Sequence, residues 1–79
     1  MDGGVRSLDL HGMNAWQART AVDAALRRSG GLYRLRLVHG FNRGTALRDM
    51  LRTEYAAHPK VLRLVSVSEG VTDLVLREF

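Results

Sequence analysis

Two stretches of this chain alternate apolar and polar side chains with period two, and each is followed by a run with helical period. The first is "SLDLH" at residues 7–11, the second "LYRLRLVH" at residues 32–39. A strand sends alternate side chains to opposite faces. Leu8 and Leu10 therefore share one side, with Asp9 and His11 on the other. In the second stretch Tyr33, Leu35 and Leu37 fall together, opposite Arg34, Arg36 and Val38. Between the two, Asn14 followed by Gln17 has the form of a capping box. Ala15, Ala18, Val22, Ala25 and Leu26 then line one side of a helix that reaches about Arg28. Ser29, Gly30 and Gly31 stop it.

A second helix runs from near Thr45 to His58, where Pro59 forbids continuation. Its apolar side holds Leu47, Met50 and Leu51, with Glu54 on the same side. Arg48, Arg52 and Tyr55 form an exposed stripe, the ordinary solvated kind. Two closing runs, residues 61–68 and 71–79, are joined by Glu69-Gly70 and read as an antiparallel hairpin. In this reading His58 is a helix end and Gly70 a turn.

The order βαβαββ predicts an α/β fold. Strands joined by a crossover helix lie parallel, and such crossovers are right-handed in about 98% of cases. Two of them moving one way along a sheet put both helices on one face. The expectation is a two-layer α/β sandwich with a mixed four-stranded sheet, one domain over residues 1–79. Leu8, Leu10, Leu35, Leu37, Leu62, Leu64, Leu74 and Leu76 point under the helices. The uncovered face carries Asp9, His11, Arg34, Arg36, Arg63, Asp73 and Arg77 as a wet, mostly basic surface.

The net charge is +4, and of the 12 Lys and Arg residues only Lys60 is a lysine. Arginine's planar fork matches phosphate and stacks on bases, so nucleic acid is the natural polyanionic partner; GC-rich coding enriches arginine too. There is no cysteine, which excludes a disulfide framework and a thiolate metal site. No apolar run is long enough to span a bilayer, and "MDGGVRS" lacks the apolar core of a signal peptide. The expectation is a cytoplasmic protein without a membrane partner.

The second strand ends "LVHG", echoing "DLHG" of the first. If the two are parallel, His11-Gly12 and His39-Gly40 leave the sheet at one edge, where open α/β sheets bind ligands. Two imidazoles, the Asp9 carboxylate and a loop of Phe41, Asn42, Arg43 and Gly44 converge there. That loop enters the second helix at its N-terminus, where free N–H groups favour phosphate. Trp16, on the first helix but off its alanine side, is either a stacking platform for a base or a satellite of the core.

These motifs resemble those of the Smr (small MutS-related) domain family. The shared features are "LDLHG" at residues 8–12, "HGFNRGTALRDML" at 39–51, "HPKV" at 58–61 and "GVTDLVL", a G-x-T ending, at 70–76. The resemblance covers nearly the whole chain. It implies an α/β sandwich similar to the C-terminal domain of bacterial translation initiation factor three. It also implies nucleic-acid binding, with nicking or RNA cleavage in several members. The active positions it implies are Asp9, His11 and Gly12, with His39, Gly40 and Gly44 in the loop. The usual family loop is a run such as "HGKGTG". Here its middle glycine is missing and its basic residue is Arg43.

The chemistry these residues can support is acid–base. An isolated histidine titrates near pH ~6.5, so both protonation states are accessible at neutral pH. His11 and His39 are candidate base and acid, and Asp9 a candidate orienter of His11. Arg43 and the helix N-terminus face the charge that develops on phosphorus. Mg²⁺ chemistry wants carboxylate ligands, and only Asp9 is available, so no metal or other cofactor is implied. Metal-free acid–base catalysis favours RNA, whose 2′-hydroxyl is an internal nucleophile, although DNA nicking belongs to the family. Gly12, Gly40, Asn42, Arg43, Gly44, Arg34, Arg36, Arg48 and Trp16 are the candidate nucleic-acid contacts. Two other functions fit the same residues. One is a non-catalytic RNA- or DNA-binding module using Arg34, Arg36, Arg43, Arg63 and Arg77. The other is a protein-interaction module whose basic face meets an acidic partner, such as one at the ribosome.

Overall fold

The computed structural model of the chain describes residues 4–41 and 44–78. The elements are β1 (Val5–Asp9), α1 (Ala15–Arg27), β2 (Arg34–Val38), α2 (Ala46–Ala56), β3 (Arg63–Ser68) and β4 (Val71–Val75). They form one four-stranded sheet in the order β1-β2-β4-β3. β1 pairs with β2 in parallel, and β4 runs antiparallel to both β2 and β3. The returning arm of the hairpin thus inserts between the two crossover products. The mixed sheet and the βαβαββ order are those the sequence predicts.

Register decides which side chains meet the helices. Leu8, Leu37 and Thr72 lie side by side across the sheet, as do Leu35, Leu74 and Leu64 one step along. With Leu10 they face Ala18, Val22, Ala25 and Leu26 of α1 and Leu51 and Tyr55 of α2 in a single core. Both helices therefore cover one face of the sheet. The capping box forms as expected: the Asn14 carboxamide accepts from the Gln17 amide at 2.8 Å, and the Asn14 amide donates to Gln17 Oε1 at 3.0 Å. At the far end of α1, Lys60 Nζ donates to the Leu26 carbonyl at 3.1 Å, a cation at the negative end of the helix dipole.

Four expectations are corrected. Leu62 is 58% exposed, and Val61 is buried in its place. A turn in which the Val61 amide donates to the His58 carbonyl precedes β3, so strand alternation does not extend back to Leu62. Tyr55 is buried, not part of an exposed stripe with Arg48 and Arg52. It continues the i, i+4 ridge of Leu47 and Leu51, and its hydroxyl donates to Asp23 Oδ1 on α1 at 2.7 Å. Burial, and then the Asp23 carboxylate, push that phenol well above its ordinary range. Glu54 points to solvent instead of over the core.

The fourth correction concerns the uncovered sheet face. Asp73 sits at its centre with no solvent exposure. Its carboxylate accepts from Arg36 Nε at 2.8 Å, Arg36 Nη2 at 3.0 Å and Arg34 Nη1 at 3.1 Å. The pairing register sets Arg36 directly beside Asp73 on the neighbouring strand. Two arginines offered as free cations are thus folded onto a buried carboxylate, and their stems help cover the sheet.

Burial pushes the Asp73 carboxyl up, and the hydrogen bonds and charge of Arg36 and Arg34 more than reverse this, leaving it below the usual range. A carboxyl depressed in the folded state stabilises it above the unfolded pKa of about 4 and loses that contribution as pH falls through the folded value. Asp73→Ala should therefore cost about 3 kcal/mol at pH 7 by urea unfolding, because it strands two part-buried cations. The gap between wild type and variant should close below about pH 4. A constant gap from pH 7 to pH 3 would contradict the assignment.

Candidate functional site

The first strand ends at Asp9, so His11 lies in a turn and not on the strand. The Met13 amide donates to the Leu10 carbonyl at 3.1 Å, with Gly12 at φ +79°. That is the position in a type II turn where glycine escapes steric cost. The turn, not strand alternation, aims the imidazole back at Asp9. Asp9 Oδ1 accepts from the His11 amide at 3.2 Å and stands 2.5 Å from His11 Nδ1. An ionised carboxylate only accepts, so Nδ1 carries a proton and the second ring nitrogen, Nε2, is left for a ligand. Both side chains are about two-thirds exposed. The hydrogen bond from the His11 ring, then that from its amide, hold the Asp9 carboxyl below its ordinary value.

β2 delivers His39 to the same rim, and the two histidines line one cleft of about 330 Å³. Their environments differ. His39 is buried, with Nδ1 2.8 Å from the Gly40 carbonyl and Nε2 2.9 Å from Thr72 Oγ1. A carbonyl only accepts, so Nδ1 is the protonated nitrogen. The Thr72 hydroxyl also accepts from Arg52, at 3.2 Å and 3.4 Å. It is therefore free to donate its own proton to Nε2. One imidazole is open and the other is occupied at both nitrogens.

The loop after β2 is strapped to the hairpin. The amides of His39 and Gly40 both donate to the Gly70 carbonyl at 3.0 Å. A Cβ on Gly70 would stand 3.3 Å from Gly40 Cα, so the two backbones touch and Gly70 is more than a turn. Gly40, at φ +74°, lies against the His11 Cβ side, and Gly44 has φ +88°. Met13, Phe41 and Leu47 supply the apolar part of the lining. Gly44 and Leu47 bring in the start of α2, where Thr45 makes no side-chain cap bond. Asp49 in that first turn is held below its ordinary pKa by the Thr45 hydroxyl and then by Arg48. Arg48 is thus paired to it, at 3.1 Å.

Asp9, His11, Gly12, His39, Gly40 and Gly44 are brought together. Asn42 and Arg43 lie outside the described residues. Arg34 and Arg36 are on the sheet face with Asp73. Trp16 is 70% exposed and lies outside the cleft lining, so it is not a core satellite. Phe41, expected in the converging loop, lines the cleft; Thr72, Arg52, Gly70 and Met13 were missed as participants, although the G-x-T of residues 70–72 was the available signal for two of them. Among the described residues no three His, Asp or Glu side chains form a metal-ligand group, and no helix is long and apolar enough to cross a membrane. Thr72→Val, which keeps the shape and deletes the hydroxyl, should cost about 1–2 kcal/mol. It should also free His39 Nε2, read as a change in that nitrogen's ¹⁵N shift, while Nδ1 stays protonated against the Gly40 carbonyl. An unchanged Nε2 shift would contradict the Thr72 bond.

The sequence model of the Smr domain matches residues 8–72. Among solved structures, the Smr domain of Thermus thermophilus MutS2 superimposes with a TM-score of 0.81 at 32% identity, covering 92% of this chain and 99% of that one. No curated protein matches the sequence.

Proposed function

Because the chain belongs to the Smr domain family, in which nucleic-acid binding is known and some members are endonucleases, we propose that it is an endonuclease acting on RNA in preference to DNA. The observation that carries this reading is the Asp9–His11 pair, a carboxylate holding one ring nitrogen and leaving the other open at a cleft. His11 Nε2 takes the proton of a ribose 2′-hydroxyl. That oxygen bonds to the adjacent phosphorus, the bond to the 5′-oxygen breaks, and the leaving oxygen receives a proton from the now cationic His11 or from water. Asp9 stabilises the cation, as the aspartate of a catalytic triad does. Because its carboxyl is held low, Asp9 keeps this role through the pH range in which histidines titrate.

Gly12, Gly40 and Gly44 bring backbone within reach of phosphate, and the start of α2 adds its dipole. For His39 to exchange a proton as acid or base it must first release Thr72, so His11 takes the larger part. Arg48, Asn42 and Arg43 are the proposed phosphate contacts, with Arg34 and Arg36 contributing the single net positive charge that Asp73 leaves them. Trp16 offers a stacking surface outside the cleft. The reading places the protein in the cytoplasm.

His11→Ala should abolish cleavage of RNA while leaving affinity within about threefold. Asp9→Asn should lower the cleavage rate roughly 10²- to 10⁴-fold, the usual range for acid–base catalysis. Cleavage should persist in EDTA and be absent on an all-deoxy strand. Full activity in His11→Ala would end the proposal. The occupied ring of His39 favours a second reading, a non-catalytic RNA- or DNA-binding module, including one at the ribosome. It predicts salt-dependent binding with no cleavage by the wild-type chain.

A further inference from the structure

Phe41 and Met13 stand beside the polar floor of the cleft, and both are open to solvent, Phe41 at 52% and Met13 at 36%. Neither belongs to the core. Phe41 is nonetheless backed: its Cδ1 lies 3.5 Å from where a Cβ of Gly70 would stand. Gly70 in turn is held by the amides of His39 and Gly40. The ring therefore rests against a strapped backbone. A site built for phosphate alone has no use for an aromatic ring and a thioether, because the sugar–phosphate chain is polar along its length.

We propose that Phe41 and Met13, set next to His11 at one cleft, form a subsite for the unpaired nucleobase adjoining the reacting phosphate. This deepens the endonuclease reading and rests on it. Every base has a π-face, so stacking on Phe41 is tolerant of sequence. Sulfur near a ring edge, as Met13 offers, is also favourable. In a duplex both faces of a base are covered by its neighbours, so only a single-stranded, looped or extruded nucleotide can occupy the subsite. The position of Phe41, between Gly40 and the loop to α2, couples base capture to the strap that shapes the cleft floor. The chain thereby selects unpaired RNA by contact, without reading a sequence.

The test measures binding of the whole chain to three fluorescent RNAs: a short single strand, its perfect duplex, and a strand of the same length made wholly of abasic riboses. Wild type should bind the single strand roughly tenfold more tightly than either of the others, the size expected for one stacked base. Phe41→Ala should lose that preference while its affinity for the abasic strand stays unchanged, and Phe41→Tyr should retain it. A 2-aminopurine in the single strand should be quenched by wild type and Phe41→Tyr, not by Phe41→Ala. Equal binding of duplex and single strand by wild type would overturn the subsite, as would equal weakening of all three RNAs by Phe41→Ala. If cleavage then still depends on His11, only the subsite falls. If no RNA binds at all, both readings fall.

Discussion

One carbonyl, that of Gly70, accepts from two successive backbone amides, His39 and Gly40, and the shape of the cleft depends on that fork. It joins the end of a parallel strand to the turn of an antiparallel hairpin, segments thirty residues apart in the chain. A Cβ on Gly70 would press on Gly40 Cα at 3.3 Å, and Gly40 itself has a φ of +74°, which favours glycine. Thr72, two residues further on, extends the same connection by holding the His39 ring. The site is thus assembled by the insertion of β4 between β2 and β3. Had β4 paired on the outer edge of β3, neither contact could form.

The two histidines answer to this arrangement differently. His39, at the end of an interior strand, is enclosed by the loop it begins and by β4. His11 leaves an edge strand, and among the described residues its ring is bonded to Asp9 alone. Similar tetrapeptides therefore yield one fixed ring and one accessible ring. Position in the sheet, not local sequence, separates their roles.

Much of the fold was legible because its signals are local. The Asn14–Gln17 box, the alternation of Leu35 and Leu37, and the stop at Pro59 are each decided within a few residues. The failures lie where a distant partner decides. Arg34, Arg36 and Asp73 read as three exposed charges because nothing in either strand reveals that β2 and β4 are neighbours. Tyr55 read as solvated because its partner, Asp23, belongs to the other helix. Leu62 followed the alternation of β3 but precedes its start. For the site, the convergence of two His-Gly ends could be inferred from parallel strands. The occupied state of His39 could not, since it depends on Thr72 and Arg52 from elsewhere in the chain.

The capping box at Asn14 has a consequence for anything that lies across this rim. Two helices begin there, and among the described residues only α1 carries a side-chain cap, with Asn14 on the Gln17 amide and Gln17 on the Asn14 amide. The repeat of the His-Gly motif suggests a site with twofold likeness, yet its two halves differ in electrostatic appetite. A polynucleotide is itself a directional object, its 5′ and 3′ ends chemically distinct. A closed helix start on one flank and an uncapped one on the other make the groove directional too, so the two orientations of a strand are not equivalent to it.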